Sequence, residues 1–346
     1  MATAHIYIGD ARQRLAELPA GSARTCVTSP PYFGLRDYGT ASWEGGDPEC
    51  EHRVGRATRG GLTGKQASNT GSFGDEAVKE CPHCGAKRVD SQIGLEETPD
   101  AYVAEMVALF REVWRVLADD GTLWLNIGDS YAGNNSGKGL KPKDLIGIPW
   151  RVAFAFQADG WYLRSDIIWH KPNPMPESVT DRPTKSHEYL FLLTKSPRYY
   201  YDHEAIKEDA VTNIGEAKIR FGGSKYGDSD DPKHATKSGN VYEPSGKRNK
   251  RDVWTINTKP FRGAHFAVMP EALVEPCVLA GSAEGDTVLD PFTGSGTVAV
   301  VANRHGRNFV GTEMNPEYAQ IAYERITNDS PMLNTVEVNQ TRKENQ

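Results

Sequence analysis

A glycine-rich turn near the end of the chain most constrains how this sequence can fold. The segment VLDPFTGSGT predicts a buried strand ending at Asp290, a turn at Gly294 and Gly296, and then a helix. A second strand, NFVGTEM, follows that helix. Strands that alternate with helices in this way lie parallel in one sheet, and the helices pack on its faces. The sequence therefore predicts an α/β fold with a doubly wound, largely parallel sheet.

The same turn predicts a ligand site, because glycines let the backbone approach a ligand and the following helix points its N–H groups there. Glu313 ends the next strand, 23 residues after Asp290, where a carboxylate can bind two ribose hydroxyls. No Lys follows the glycines, and Asp290 would repel a phosphate, so a P-loop is excluded. A carboxylate suits a cationic ligand such as S-adenosylmethionine. The alternative is a plain strand–turn–helix whose glycines serve only its geometry.

A rigid corner, TSPPY, ends the predicted strand SARTCVTS. Pro30 and Pro31 fix φ and lack N–H groups, so the carbonyls of Ser29 and Pro30 are free to accept hydrogen bonds. Ser29 adds a hydroxyl, and Tyr32 adds a ring that can stack on a planar group. We interpret the corner as a site for an exocyclic amino group on a flat ring, whose lone pair these hydrogen bonds would localise. Taken alone, the corner also fits an ordinary turn.

TSPPY followed far downstream by DPFTGSGT resembles the amino-group DNA methyltransferases, which methylate cytosine N4 or adenine N6 with S-adenosylmethionine. The catalytic motif precedes the cofactor motif, as in the permuted β-type enzymes of phages, prophages and restriction-modification systems. Further matching pieces are YIGDA, GTLWLNIGDSY, IIWHKPNPMPES, HEYLFLLTKS and HFAVMPEAL. The resemblance implies a Rossmann-like S-adenosylmethionine-dependent methyltransferase sheet with helices on both faces.

The resemblance also assigns roles to residues. The catalytic residues would be Ser29, Pro30, Pro31 and Tyr32, with Tyr32 stacking on a base flipped out of the duplex. The cofactor-binding residues would be Asp10, His265, Phe266, Asp290, Pro291, Phe292, Gly294, Ser295, Gly296, Thr297, Glu313 and Met314. Asp10 would approach the adenine of the cofactor, and His265 and Phe266 would line its methionine side. Ser before Pro-Pro-Tyr favours cytosine N4, and adenine N6 is the alternative.

Residues at the ends of other predicted strands would complete the site. Asp129 ends LNIGD, and Trp169, His170 and Lys171 end IIWHK, so we expect them around the base pocket at the carboxyl edge of the sheet. Trp169 also fits a core position. Cys26 precedes the corner outside any Pro-Cys motif, so we interpret it as a core residue and not a nucleophile.

Residues 34–98 form a polar insertion with few apolar residues, and three of the five cysteines lie in it. Cys50, His52, Cys81 and Cys84 are four ligands of the kind that hold tetrahedral Zn²⁺. Such an insertion cannot build a core, and a metal would stabilise it, so we predict a structural zinc site. The alternatives are free thiols, a redox pair at CPHC, or His83 in place of His52.

A second polar segment, residues 203–262, holds 12 Lys and Arg against 9 Asp and Glu in a chain of net charge −6. The β arrangement places its target-recognition region here. Candidate contacts to phosphates and guanine edges are Lys247, Arg248, Lys250 and Arg251. A solvated loop is the alternative. The expected organisation also includes a catalytic half (1–33 and 99–202), a cofactor-binding half (263–328) and a flexible tail (329–346).

The expected function is site-specific methylation of double-stranded DNA, with a cognate restriction endonuclease as a candidate partner. No apolar run approaches membrane-spanning length and no signal-peptide core is present, so we expect a cytoplasmic monomer or weak dimer. Two other classes stay open: a methyltransferase for protein glutamine or RNA, and a nucleic-acid-binding module without catalysis. Ser29 and the long basic insertions favour DNA.

Overall fold

The computed structural model describes residues 2–34, 42–52, 80–90, 92–133, 140–210, 219–220, 241–242, 246–259, 268–329 and 334–339. His265 and Phe266, predicted to line the cofactor, lie outside these residues. The chain divides into two compact units, Met1–Tyr201 with Asp252–Gln346 and Asp202–Arg251. In the described part of the chain, no helix is both long enough and apolar enough to cross a membrane.

A nine-stranded sheet forms the centre of the larger unit. Its spatial order is β12 (Val253–Thr255), β6 (Tyr162–His170), β7 (His187–Thr194), β5 (Leu117–Ile127), β2 (Ala23–Thr28), β13 (Thr287–Asp290), β14 (Asn308–Glu313), β1 (Ala2–Ile8) and β15 (Asn334–Asn339). β7 is antiparallel to both neighbours, and the other neighbouring strands are parallel. Three short antiparallel pairs are β3 (Ser42–Glu44) with β4 (Lys87–Val89), β8 (Glu208–Asp209) with β11 (Lys247–Arg248), and β9 (Ile219–Arg220) with β10 (Val241–Tyr242).

The described residues contain six helices: α1 (Ala11–Glu17), α2 (Pro99–Val116), α3 (Ile148–Ala158), α4 (Glu271–Gly281), α5 (Thr297–Arg304) and α6 (Pro316–Asp329). The pleat of β5 shows that they cover both faces of the sheet, because successive side chains of a strand point to opposite faces. Leu123 and Leu125 share a core with side chains of α1, α2 and α3. Thr122 and Trp124 point the other way and lie against Gly281 of α4. The prediction of an α/β sheet with helices on both faces is confirmed.

The order of the strands along the chain reverses between β2 and β13. From β2 the sheet continues to β5, and from β13 it continues in the opposite direction to β14. Open α/β sheets bind ligands at such a switch point, outside the carboxyl ends of the strands. The Thr28 hydroxyl donates to Asp290 Oδ1 at 2.6 Å across this point. The two predicted motifs, 262 residues apart in sequence at these positions, therefore lie side by side.

Two predicted segment boundaries differ from the structure. The tail 329–346 was predicted to be flexible, but residues 334–339 form β15 parallel to β1, and His5 contacts Glu337 at 3.2 Å. This strand covers an edge of β1 that would otherwise expose unpaired backbone groups. The predicted recognition region 203–262 includes β12, which instead extends the nine-stranded sheet beside β6. A strand of three residues is too short to produce a periodic pattern.

The sequence DDG at 119–121 is typical of a turn, but the strand continues through it. These residues lie within β5, whose pairing with β2 shifts: Ala23 pairs with Leu117, whereas Thr25 pairs with Thr122. The extra residues on β5 are accommodated in this irregularity. The following residues keep their buried register beside β2, so the turn signal only marked a bulge.

We expect Gly281→Ala to destabilise the protein, because α4 packs directly on the sheet. A Cβ at this position would lie 2.5 Å from Thr25 Oγ1 and 2.8 Å from Thr122 Oγ1. Overpacking of this kind typically costs about 1–3 kcal/mol of unfolding free energy, measurable by urea denaturation. Gln320→Ala is the control, because Gln320 is exposed on α6 and surface substitutions usually change the free energy of unfolding by no more than about 0.5 kcal/mol. A loss at Gly281 no larger than that at Gln320 would contradict the close contact.

Candidate active site and metal cluster

Glu313 connects the end of β14 to the glycine-rich turn. Its Oε2 accepts a hydrogen bond from the Gly294 amide at 2.9 Å, and its Oε1 accepts one from the Asn315 amide at 2.8 Å. Burial raises the pKa of this carboxyl, although these backbone bonds oppose the rise. A carboxylate oxygen that accepts one hydrogen bond can accept another. Glu313 is therefore able to bind ligand hydroxyls while it holds the turn.

The first residues of α5 are fixed by α6. Gly296 precedes α5 with a φ of +77°, and a Cβ there would lie 3.0 Å from Ala322 of α6, so glycine is required. Arg325 donates to Ser295 Oγ at 3.1 Å and to Thr297 Oγ1 at 2.8 Å. Both hydroxyls are buried and accept from Arg325, which ties the turn to α6. Their contact with a cofactor stays a prediction.

Asp290 is a buried carboxylate at the end of β13. Thr28 Oγ1 donates to its Oδ1 at 2.6 Å, and the Phe292 amide donates to the same oxygen at 3.0 Å. Burial raises the pKa of Asp290 to about 7, and these two bonds only partly offset it. Since both bonds end on Oδ1, Oδ2 is the oxygen placed to meet a ligand. A cationic ligand would stabilise the ionised form and lower this pKa.

The end of β1 meets the same edge. The Gly9 amide donates to the Glu313 carbonyl at 2.9 Å, so Asp10 follows directly beside the end of β14. Asp10 Oδ1 accepts hydrogen bonds from the amides of Arg12 and Gln13 at 3.0 and 3.2 Å and caps α1. The predicted cofactor residues Asp10, Asp290 and Glu313 therefore follow or end three adjacent strands. Pro291 and the half-buried Phe292 and Met314 directly follow these strand ends.

The predicted catalytic corner, residues 29–32, follows β2 and is held by the helix layer. Tyr102 of α2 donates its hydroxyl proton to the Pro31 carbonyl at 2.9 Å. The Gly34 amide donates to the Gly94 carbonyl at 2.8 Å, which fastens both ends of the insertion beside the corner. A Cβ on Gly94 would lie 3.0 Å from the Tyr32 carbonyl oxygen. Ser29 and Tyr32 stay partly exposed at the carboxyl edge of the sheet.

The hydroxyl of Tyr32 lies in a polar network that the sequence motifs did not indicate. It is 2.7 Å from Glu188 Oε2, 3.2 Å from Asn126 Oδ1 and 3.4 Å from Ser29 Oγ. A Cβ on Gly128 would lie 2.6 Å from the Tyr32 ring. The ring is thus fixed against the end of β5. Burial, and then the Glu188 carboxylate, raise the pKa of Tyr32 well above its ordinary value.

Glu188 reaches this edge because β7 is antiparallel, so its first residues lie beside the carboxyl ends of β5 and β6. Lys171 forms an ion pair with Glu188 and lies 4.2 Å above the ring of Trp169. Trp169 is only 4% exposed, and its Nε1 donates to the Ile256 carbonyl at 2.9 Å, as expected of a core aromatic residue. Glu188 lies in HEYLFLLTKS, a segment whose sequence pattern indicates only a strand.

Three other residues singled out from the sequence lie near strand ends or in the core. Asp129 caps α3 by accepting hydrogen bonds from the amides of Gly147 at 3.0 Å and Ile148 at 3.1 Å. His170 Nδ1 lies 3.2 Å from Thr255 Oγ1. Cys26 is fully buried, and burial raises the pKa of its thiol, as expected of a core residue. Asp129 therefore has a structural role at the position where the sequence suggested a pocket rim.

The four predicted metal ligands come together near the antiparallel pair of β3 and β4: Cys50, His52, Cys81 and Cys84. Their four candidate ligand atoms all lie within 4.8 Å of one another. Cys50 Sγ is 3.9 Å from Cys81 Sγ, and Cys84 Sγ is 3.4 Å from His52 Nδ1. With Zn–S near 2.3 Å and Zn–N near 2.0 Å, tetrahedral geometry requires about 3.8 Å between sulfurs and about 3.5 Å between sulfur and nitrogen. The cluster therefore fits Zn²⁺.

The protein supports this cluster on several sides. The His52 ring stacks on Trp43 with 5.1 Å between ring centroids. A Cβ on Gly46 would lie 2.8 Å from Cys84 Sγ. A hydrogen bond with His52 is the main cause that lowers the pKa of Cys81 to about 6. His83 is exposed and does not belong to the group of converging ligand atoms. The geometry thus favours His52 as the fourth ligand.

The predicted DNA-binding residues lie in the smaller unit. Arg248 and Arg251 both donate to Glu208 Oε1 at 2.9 Å, and Lys247 and Arg248 form β11 beside β8. Lys250 is half-buried, whereas Lys247 and Arg251 are exposed. The basic run is therefore organised around one acidic residue, while its contact with DNA stays a prediction.

The comparisons with known proteins agree with this architecture. A family model described as DNA methylase matches residues 23–324. The chain belongs to the DNA methylase family. It is 43% identical to the Type II methyltransferase M.Cfr9I of Citrobacter freundii, over 93% of this chain and 87% of that protein. It is also 43% identical to the Type II methyltransferase M.SmaI of Serratia marcescens, over 93% and 90% of the two chains.

Solved structures share the fold of this methylase at low identity. A putative DNA modification methylase of Thermus thermophilus, complexed with S-adenosyl-L-methionine, has a TM-score of 0.57 at 23% identity and covers 98% of this chain and 99% of its own. PvuII DNA methyltransferase (cytosine-N4-specific) has a TM-score of 0.56 at 18% identity, with 95% and 92% covered. The predicted fold of S-adenosylmethionine-dependent DNA methyltransferases is confirmed.

The raised pKa of Asp290 predicts a pH-dependent stability of the ligand-free methylase. The folded carboxyl holds its proton up to about pH 7, whereas an unfolded Asp releases it near pH 4. The free energy of unfolding should therefore fall as the pH rises from about 4 to 7. Asp290→Asn can keep both hydrogen bonds to Oδ1 and avoids the buried charge. It should exceed the wild type at pH 8 by as much as about 4 kcal/mol.

Urea denaturation of both proteins at pH 4.5 and pH 8 measures this difference, which should be much smaller at pH 4.5. Asp286→Asn is the control, because Asp286 lies at the opposite end of β13 and contacts Arg24. It should show no gain at pH 8. An Asp290→Asn difference that is the same at both pH values would refute the raised pKa.

Proposed function

We propose that this DNA methylase transfers a methyl group from S-adenosylmethionine to the N4 amino group of cytosine in duplex DNA. One observation carries the proposal: the Ser29–Tyr32 corner and the Asp290–Glu313 ligand turn adjoin at the switch point of the sheet, joined by the bond between Thr28 and Asp290. The corner suits a planar amino group, and the turn suits a cationic nucleoside. A methyl transfer between two such molecules needs both sites side by side.

The carboxylates predicted to bind the cofactor would each contact a different part of it. Oδ2 of Asp290 would accept from the ammonium of the methionine part, and Glu313 would accept from the ribose hydroxyls while holding the turn. Asp10, beside the end of β14, would lie toward the adenine. When bound, S-adenosylmethionine supplies a methyl group on a sulfonium, which is electrophilic. The amino nitrogen would form its bond to that methyl group as the sulfur–methyl bond breaks, and it would release one of its own protons to solvent. The remaining task of the protein is to present the amino nitrogen in line with that methyl group.

The corner would prepare the amino nitrogen as a nucleophile. Its lone pair is delocalised into the ring, and hydrogen bonds from its N–H groups to Ser29 and the Pro30 carbonyl would help to localise it on nitrogen. The base must leave the duplex to reach this position. Ser at position 29, where the adenine enzymes more often carry Asp or Asn, favours cytosine over adenine.

The proposed methylation also implies DNA and protein partners. The residues Lys247, Arg248, Lys250 and Arg251 would contact the duplex from the smaller unit. The relatives M.Cfr9I and M.SmaI are Type II methyltransferases by name. By analogy, this protein would protect DNA from a cognate restriction endonuclease that reads the same site.

Mass spectrometry of nucleosides tests the proposal. Plasmid DNA incubated with the methylase and labelled S-adenosylmethionine should yield labelled N4-methylcytosine. Ser29→Ala should lower the rate by roughly 100-fold or more, because the amino group loses one of its two acceptors. Labelled N6-methyladenine would overturn the choice of base and keep the corner's role. No labelled nucleoside, with label found in RNA or protein, would overturn DNA as the substrate.

We also propose that Cys50, His52, Cys81 and Cys84 hold a structural Zn²⁺ that orders the insertion. The purified protein should contain one zinc per chain by plasma mass spectrometry, and His52→Ala should lose most of it. His83→Ala is the matched control, because His83 is exposed beside the cluster and should leave the zinc content unchanged. Loss of zinc in His83→Ala but not in His52→Ala would refute the proposed ligand set.

A further inference from the structure

A partly buried carboxylate with no role in the chemistry described so far contacts the Tyr32 hydroxyl of the corner. The side chain of Glu188 is only 17% exposed. Tyr32 donates its hydroxyl proton to Oε2 at 2.7 Å, and Asn126 Nδ2 donates to the same oxygen at 3.3 Å. Lys171 donates to Oε1 and supplies the opposite charge. A buried charge is costly unless such partners surround it, so this arrangement needs an explanation.

The donors around Glu188 determine the direction of the hydrogen bonds. Asn126 Nδ2 also donates to the Tyr189 carbonyl at 3.1 Å, which orients the amide so that its Oδ1 faces Tyr32 at 3.2 Å. Tyr32 has one proton and faces two acceptors, Glu188 and Asn126. Glu188 is nearer and ionised, and bonds to an ionised acceptor are the stronger ones. The Tyr32 proton is therefore directed away from Ser29.

Ser29 is the remaining member of this hydrogen-bond network. Its Oγ lies 3.4 Å from the Tyr32 oxygen, which can accept from Ser29 because its own proton is used elsewhere. The Ser29 proton then points toward Tyr32, which leaves the lone pairs of its oxygen to accept a hydrogen bond. If the hydrogen bond between the two hydroxyls ran the other way, Tyr32 would donate to Ser29. The Ser29 proton would then point toward an incoming N–H group and repel it.

We propose that Glu188 is a positioning residue: by holding the Tyr32 proton, it turns the Ser29 hydroxyl into an acceptor for the target amino group. This inference rests on the proposed function, in which Ser29 accepts from that group. It applies to cytosine and adenine alike, since both present an exocyclic N–H. Glu188 itself does not touch the base.

Glu188→Gln tests this role with little change in shape. Lys171 needs an acceptor, so the amide oxygen of Gln would face Lys171 and its NH₂ group would face Tyr32 and Asn126. The Tyr32 proton is then no longer held by a charge, and the direction of Ser29 is no longer set. We expect kcat for total methyl transfer to fall roughly tenfold, with the KM values for DNA and S-adenosylmethionine unchanged.

A double-mutant cycle separates positioning from general support of the fold. Tyr32→Phe keeps the ring and removes the link, so it should also lower kcat roughly tenfold, and adding Glu188→Gln should cause no further loss. Additive losses, or a fully active Tyr32→Phe protein, would overturn the proposal even if Glu188→Gln folds poorly. Glu112→Gln, which removes a carboxylate paired with Arg115 at 2.9 Å on α2, is the control and should be fully active.

The readout also distinguishes this inference from the proposed function. Total methyl incorporation by the wild type is counted whichever base is modified. Loss of activity in Ser29→Ala supports the corner, and the cycle is then measured on the same substrate. If Ser29→Ala is inactive but the losses for Tyr32→Phe and Glu188→Gln are additive, the positioning role of Glu188 is refuted and the proposed function stands. A Ser29→Ala protein with full activity refutes both.

Discussion

The pairing of β2 with β13 is the constraint on which the rest of this structure depends. It places the end of one motif beside the start of the other, although the chain reaches the second only after more than two hundred residues. The bond between Thr28 and Asp290 joins the two strand ends at 2.6 Å. The permuted order of motifs therefore makes no difference to the site, because parallel strands present their carboxyl ends at one edge regardless of their order in the chain.

Three buried carboxylates at this edge are stabilised in different ways, and the difference follows their roles. Glu188 has a cation of the protein, Lys171, as its partner. Asp290 and Glu313 are held by hydroxyl and amide donors, and burial raises the pKa of both. A pair of this kind gains most from a cationic ligand. The edge thus combines a charge-balanced half at the corner with a half whose carboxylates would favour a positively charged ligand.

The insertion shows how a polar segment can be added to such a sheet without disturbing it. Its ends are fastened by the bond between Gly34 and Gly94, next to the corner, and Tyr102 separately holds the Pro31 carbonyl. A metal ion held by the four candidate ligands would replace the apolar core that the composition does not supply. The corner therefore obtains support from α2 and from the base of the insertion at the same time.

The structural features that depend on local backbone chemistry could be predicted from the residues alone. The prolines of the corner, the glycines of the turn, the helical periodicities and the spacing of the cysteines each restrict a few neighbouring residues, so they were predictable. The tertiary structure decided which distant groups meet. Glu188 enters the site only because β7 runs antiparallel, and β12 and β15 join the sheet through pairing partners far along the chain. Arg325 reaches the hydroxyls of Ser295 and Thr297 only because α6 packs beside the glycine-rich turn. Hydrogen bonds across such distances leave no local pattern, because each partner is chosen by the register of the whole sheet.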